Sequence, residues 1–247
     1  MLTVHHLEKS RSHRVLWLLE ELGLEYELKT YQRNPKTMLA PAELKAVHPL
    51  GKSPVITTDE MTLAESGAIL EWLAEQHAEK GFSVPATDPA RADYLYWLHY
   101  SEGTLMPLLV MTLVFRRVPK SRMPFFAKPV AKNITHRVIS SYIQPQVDTQ
   151  LRVLNDHLQQ RDWLVADRFT GADIQLSYPL EAAAGRYGLG DAYPALSAYL
   201  ERLRTRPAYQ VAIDKATAYA AEDADITLRL YETLSVLLKC LFKKGLN

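Results

Sequence analysis

Three short stretches carry the residues that could do chemistry. The first is Lys9-Ser10-Arg11-Ser12-His13-Arg14, set directly before an apolar run. A serine ahead of a helix is commonly an N-cap, its oxygen accepting a bond from a free backbone N–H. This pair also follows a short alternating stretch. It therefore falls at the C-terminal end of a strand, where open α/β sheets gather ligands. The helix N-terminus adds positive potential. A hydroxyl donor there suits a bound anion, a thiolate included, because helix starts lower a thiol pKa from its ordinary ~8.5. Two units of lowering correspond to roughly 2.7 kcal/mol. The chain's single cysteine is Cys240, at the far end of the sequence. A thiolate used beside these serines has to arrive with the ligand.

The second stretch is His48-Pro49-Leu50-Gly51-Lys52-Ser53-Pro54-Val55-Ile56. A proline opening a strand cannot donate to the ladder, and an X–Pro bond is the one place where a cis peptide is accessible, at ~0.5–1 kcal/mol. A cis Ser53–Pro54 bond would turn the Ser53 backbone outward, where an extended peptide could pair with it as an added strand. Spacing alone favours the plain trans start. The third stretch is Ala64-Glu65-Ser66-Gly67-Ala68-Ile69. Ser66 reads either as a helix cap or as a hydroxyl at a helix start that holds a carboxylate. Glu65 beside it suits a cation. Together they fit a group with both charges, an α-amino acid head. A fourth pattern, Thr170-Gly171-Ala172-Asp173, is a capping box with aspartate in place of the usual Glu or Gln, and is structural.

Other chemistries find no template. The eight histidines are scattered, and the adjacent His5 and His6 point to opposite faces of a strand. No His-x-x-x-His helix, phosphate loop or Gly-x-Ser-x-Gly elbow is present, so no metal is expected.

The elements that must position these residues follow from periodicity. Residues 2–6 alternate as a strand; Val15, Leu16, Leu18, Leu19 and Leu22 mark one face of a helix that Gly23 ends; residues 25–31 alternate again. A short helix is expected near 41–46, strands at 53–58 and 61–64 around the Asp59-Glu60 turn, and a helix at 65–77. The order β-α-β-α-β-β-α is that of an α/β thioredoxin-like domain, residues 1–79. Residues 80–89, with Gly81, Pro85 and Pro89, read as a linker. An all-α helical-bundle domain over 90–217 follows, with a long helix at 90–117 bent at Pro107, a basic proline-bearing connection, a second long helix at 134–160, and shorter ones near 171–186, 194–204 and 207–217. In the tail, 218–247, Leu230, Leu234, Leu237, Leu238 and Leu241 recur at helical spacing. That pattern reads as a last helix packed on the body, with a partner-binding helix or a peripheral membrane contact as sharper alternatives.

A chain of 247 residues with net charge +1 and 47% hydrophobic residues is an ordinary globular composition. It lacks the basic excess of a nucleic-acid binder. One cysteine excludes an internal disulfide and any Cys-x-x-Cys site. The first residues do not form a signal peptide, and no uninterrupted apolar run reaches spanning length. A cytoplasmic location is expected.

The motifs "SRSHRVLWLLEELGLEYE", "HPLGKSPVI", "LAESGAIL" and "FTGADI", in this order, resemble the soluble glutathione S-transferase family over about residues 1–215. The first is most similar to the serine-type fungal and bacterial branch. Glutathione brings its own thiol, so the resemblance supplies the sulfur that the chain lacks. It implies that Ser10, with Ser12 as the alternate, donates to the glutathione thiolate. Ser53, ahead of a cis Pro54, would pair with the cysteinyl part; Glu65 and Ser66 would hold the γ-glutamyl head; Lys52 would neighbour the glycyl carboxylate. Glu102 would reach the ligand across a homodimer interface. Tyr96, Tyr100, Met106 and Phe115 would wall the site of a small hydrophobic electrophile, although each alone reads more simply as helix core. The implied activity is attack of the bound thiolate on that electrophile, or reduction of an organic peroxide. The alternative is a binding or interaction protein of the same fold with little turnover. Ser53 departs from the Val, Leu or Ile that the family often has before the cis proline.

Overall fold

The computed structural model describes residues 1–217. The chain opens with β1 (Thr3–Leu7), α1 (His13–Leu22), β2 (Glu27–Tyr31), α2 (Ala42–Val47), β3 (Val55–Thr57), β4 (Thr62–Ala64) and α3 (Ser66–Gln76). This is the expected β-α-β-α-β-β-α order. The strands form one sheet in the order β2-β1-β3-β4, with β1 parallel to β2 and antiparallel to β3, and β4 antiparallel to β3. Central β1 puts alternate residues on opposite faces. Val4 joins the main core, while Leu7 packs with Tyr31 and Leu44 on the other side.

The apolar face of α1 is fully covered: Val15, Leu16, Trp17, Leu18 and Leu19 have no exposed surface. Burying each leucine is worth about 1.5–3 kcal/mol. This helix is therefore fixed to the sheet and its N-terminus cannot drift from the end of β1. Gly23 ends it at φ 70°, a left-handed position, with its N–H donating to the Glu20 carbonyl and the Leu24 N–H to the Leu19 carbonyl.

The rest of the described chain is helical: α4 (Arg91–Tyr100), α5 (Met106–Arg117), α6 (Ala127–Val138), α7 (Gln144–Leu158), α8 (Gly171–Tyr187), α9 (Pro194–Arg204) and α10 over 207–217. The expected bend at Pro107 takes a definite form, a π-helical turn at Ser101–Leu105 joining α4 to α5. A second π turn, Ile139–Ile143, precedes Pro145 and joins α6 to α7. In both, the wider turn lies directly before a proline, which lacks the N–H for the regular ladder. The second long helix begins at Ala127, seven residues before the expected 134. Pro129 falls in its first turn, where a missing N–H loses nothing. The run Arg91–Lys120 is long and apolar enough to cross a membrane by composition, yet its Tyr94, Leu98, Leu105 and Leu109 are packed in the protein core. The tail at 218–247, with its amphipathic pattern and Cys240, lies outside the described residues.

Candidate functional site

The end of β1, the start of α1, the loop before β3 and the start of α3 converge on one cleft of about 180 Å3, lined by Arg11, His48, Leu50, Lys52, Ser53, Pro54, Glu65, Ser66 and Glu102. Lys9 enters it from β1 at φ 51°, a left-handed conformation uncommon for a residue with a Cβ. Ser10 and Ser12 then lie where the strand passes into the helix. Ser12 is the residue before α1, but its side chain makes no capping bond. It is 0% exposed, and its Oγ lies 2.7 Å from His6 Nδ1. Ser10 is half-buried at the cleft edge; its Oγ lies 2.8 Å from Ser12 Oγ, 3.3 Å from Ser53 Oγ, and accepts the Ser12 N–H at 3.3 Å. Ser12 therefore does not cap α1 through its side chain, and of the two serines Ser10 is the more exposed.

The Ser53–Pro54 peptide is cis, against the trans start that spacing favoured and in line with the resemblance. The Ser53 hydroxyl donates to the His5 carbonyl at 2.8 Å and accepts the Leu7 N–H at 3.1 Å. An aliphatic side chain could not make this brace, so the Ser53 departure ties the loop to the tip of β1.

Across the cleft, Glu65 precedes α3 at φ 74° and ψ 119°. Holding a non-glycine residue there costs about 1–3 kcal/mol and persists only where neighbours fix it. Ser66 is buried, and its Oγ accepts a bond from Gln175 Nε2 of α8 at 3.3 Å. Its own proton is thereby left for an acceptor in the cleft. A methyl group on Gly67 would stand 3.3 Å from the same Gln175 nitrogen, so a small residue keeps α3 against α8.

Glu102 is the second residue of the first π turn and lines the cleft of its own chain. Its Oε1 accepts bonds from Arg11 Nε at 2.8 Å and Arg14 Nη2 at 2.5 Å. Arg14 is wholly buried and donates its other terminal nitrogen to the Gln175 carbonyl at 2.6 Å. A buried guanidinium needs such partners, because removing one leaves an uncompensated charge. Arg11 and Arg14 both lie against the Tyr178 ring.

The four expected wall residues are not brought to this cleft. Tyr100 and Met106 are each 4% exposed and belong to the protein core, with the Tyr100 hydroxyl bonded to Gln150. Tyr96 is 54% exposed, and its ring lies against Trp97 and Tyr100; Phe115 packs partly buried against the core. The face that α4 turns to the α3 start is instead Leu95, Leu98, His99, Glu102 and Gly103, around an adjoining cavity of about 590 Å3. These recur at i, i+3, i+4, i+7 and i+8. Tyr96 and Tyr100 lie one residue further on, a rotation of about 100° off that face.

Among residues the sequence reading passed over, Arg11, Arg14, His48 and Gln175 contribute to the cleft or its support, and His6 stands behind the serines. Arg11 and Arg14 were in view inside the first motif. Gln175 carried no local signal, because its role depends on α8 packing against α3. Asp173 keeps its structural role: its carboxylate accepts bonds from Thr170 N–H, Leu164 N–H and Tyr199 O–H, and burial raises its pKa. Among the described residues no group of three or more His, Cys, Asp or Glu is placed to hold a metal.

A four-stranded mixed sheet with this connectivity, a cis proline facing a strand–helix junction, and a helical bundle behind define a thioredoxin-like domain joined to an all-helical one. Residues 10–76 match the model of the glutathione S-transferase N-terminal domain, and residues 141–207 that of the C-terminal domain. Glutathione S-transferase 1 of Saccharomyces cerevisiae is 34% identical over 88% of this chain and 96% of its own. Glutathione S-transferase 3 of Schizosaccharomyces pombe is 32% identical over 92% and 91%. A crystal structure of a glutathione S-transferase from Actinobacillus pleuropneumoniae superposes with a TM-score of 0.70 at 36% identity, covering 87% of this chain and 93% of its own. The chain belongs to the glutathione S-transferase family.

Proposed function

We propose that the protein is a glutathione transferase in which the bound tripeptide's thiolate, held by Ser10, attacks a small hydrophobic electrophile. The observation that carries this is the cleft itself. One short hydroxyl donor stands at the start of α1, and cationic Arg11 and Lys52 line the same cleft as anionic Glu65 and Glu102. That distribution suits a ligand with carboxylates, one ammonium and one ionisable sulfur. The Ser66 hydroxyl and the α3 N-terminus receive the γ-glutamyl carboxylate; Glu65, with Glu102 alongside, receives the ammonium. The Ser53 backbone, ahead of the cis proline, pairs with the cysteinyl unit, and Lys52 neighbours the glycyl carboxylate.

Ser10, with Ser12 behind it, donates to the sulfur. A hydrogen bond to the charged form lowers its pKa, and the α1 N-terminus favours the same anion. The thiolate then forms a carbon–sulfur bond to the electrophile as the leaving group departs with its electron pair. With an organic peroxide it displaces the alkoxide instead. A homodimer is the family expectation. The relatives' printed names, glutathione S-transferase in each case, support the reading.

The test is turnover of an aryl chloride with glutathione. Wild type is expected to form the thioether, and Ser10→Ala to lose about 10–100-fold in kcat/KM while still binding glutathione, the loss of one charge-assisted donor. Tight glutathione binding with no turnover of aryl halides, alkyl halides or peroxides would instead support a binding protein of the same fold.

A further inference from the structure

Behind Ser10 the hydroxyls do not stop at solvent; they run inward to a buried histidine. His6 is 4% exposed on β1. Its Nδ1 lies 2.7 Å from Ser12 Oγ, and the Ala216 backbone in α10 acts on the ring to favour its protonated form. A backbone group that favours the protonated ring is an acceptor, the Ala216 carbonyl, and it suits the neutral tautomer with its proton on Nε2. Nδ1 is then an acceptor and takes the Ser12 proton. The Ser12 oxygen in turn accepts from Ser10 at 2.8 Å. Ser53 cannot supply a proton to Ser10, because its own is given to the His5 carbonyl. Ser10 therefore holds the one hydroxyl proton in the group with a choice of direction, and the chain ends on a basic nitrogen closed off from water.

We infer that His6 is the positioning residue of thiol ionisation, receiving the glutathione proton through Ser10 and Ser12. The inference rests on the transferase reading above. The step balances with no other reactant. The S–H proton passes to Ser10 Oγ, the Ser10 proton to Ser12 Oγ and the Ser12 proton to His6 Nδ1. What remains is a thiolate accepting from Ser10, Ser10 accepting from Ser12, and Ser12 accepting from the imidazolium. Every hydroxyl now points toward the sulfur, and each bond in such a chain polarises the next.

The surroundings fit an acceptor that is empty until the ligand arrives. Burial lowers the His6 pKa below its ordinary value, so the ring is neutral near pH 7. The titratable or charged groups acting on it are Glu8, in the turn just after its strand, and His13 on α1, and the Ala216 backbone acts on it from α10. His13 is itself held neutral by burial, at about 4, so it places no positive charge beside the new imidazolium. The thiolate two hydroxyls away supplies the compensating negative charge.

The experiment follows two readouts as the full-length protein binds glutathione near pH 7: ultraviolet absorbance for thiolate formed, and protons released, from calorimetry in buffers of different ionisation enthalpy. Wild type is expected to form thiolate while releasing close to no proton. Ser12→Ala and His6→Gln are expected to release about one proton per thiolate formed. They are also expected to need a pH about one unit higher for the same thiolate fraction, a tenfold change in that equilibrium. Ser12→Thr, which restores the hydroxyl, is expected to behave as wild type; this arm stands whether or not His6→Gln folds. One proton released per thiolate in wild type overturns the relay and leaves Ser10 as a simple donor. So does a Ser12→Ala profile that matches wild type. Absence of thiolate in wild type overturns the relay and the transferase reading together.

Discussion

His13 shows how a single residue beside the serines makes the fold itself sensitive to acid. It is buried under Tyr178; its Nδ1 contacts the Ser10 carbonyl at 3.4 Å, and its Nε2 is buried with no hydrogen-bond partner. Burial first, then the neighbouring Arg14 charge, brings its pKa down to about 4 from an ordinary 6.5. Between those values the unfolded chain binds a proton that the native ring refuses, so stability falls as pH falls from about 6.5 to about 4 and is flat above. The span of 2.5 units corresponds to about 3 kcal/mol. Denaturant unfolding across that range should show such a loss in wild type and a much smaller one in His13→Phe. A pH-independent midpoint in wild type would contradict the assignment. None of this was legible in advance. His13 lies inside the first motif, but whether a histidine is neutral depends on what buries it, and Tyr178 comes from α8 packing onto α1.

At the scale of elements, the π turn between α4 and α5 is the feature on which the cleft's far wall depends. Pro107 signals a bend; that the bend presents Glu102 to Arg11, just before α1, and Arg14 within it is not visible in the sequence. A regular helix and a π turn direct the same residue to different faces, and the choice is made by packing. The ion pair that results is lopsided: Arg14 has no exposed side-chain surface, whereas Glu102 keeps 31%. Glu102→Ala is expected to lower stability by about 3 kcal/mol, since it strands a buried guanidinium, and to weaken glutathione binding as well. Glu102→Gln, which keeps an acceptor oxygen, should recover part of the stability. An unfolding midpoint unchanged by Glu102→Ala would mean that Arg14 finds compensation elsewhere. The same dependence on register separates Tyr96 and Tyr100 from the cavity beside the α3 start. Tyr96 and Tyr100 were read from residue type, and one residue of helical phase separates them from the face that α4 turns to the α3 start.

On the whole-molecule scale, the architecture was legible because its signals are local and repeated. Strand alternation, Gly23 and the Thr170–Asp173 capping box each act within a few residues, and each marks an element that the structure contains. At Ser53-Pro54 the residues alone favour a trans start and only the resemblance implies the cis bond that the structure has; Glu65-Ser66 lies at the start of a helix, as its motif implies. The site was not legible where two distant segments meet. Gln175 bracing Ser66, Arg14 bonded to Gln175, and Arg206 paired with Glu21 at 2.6 and 2.8 Å all join the sheet-bearing half to the helical half. These ties hold the three motifs around a single cleft, and the function asks one thing of that cleft: a sulfur anion beside Ser10 at neutral pH. The most direct measurement is an ultraviolet titration of glutathione bound to wild type and to Ser10→Ala. The account predicts a bound thiol pKa about two units below the free value of ~8.5 in wild type, returning most of the way in the variant. Identical titrations of the two proteins would contradict it.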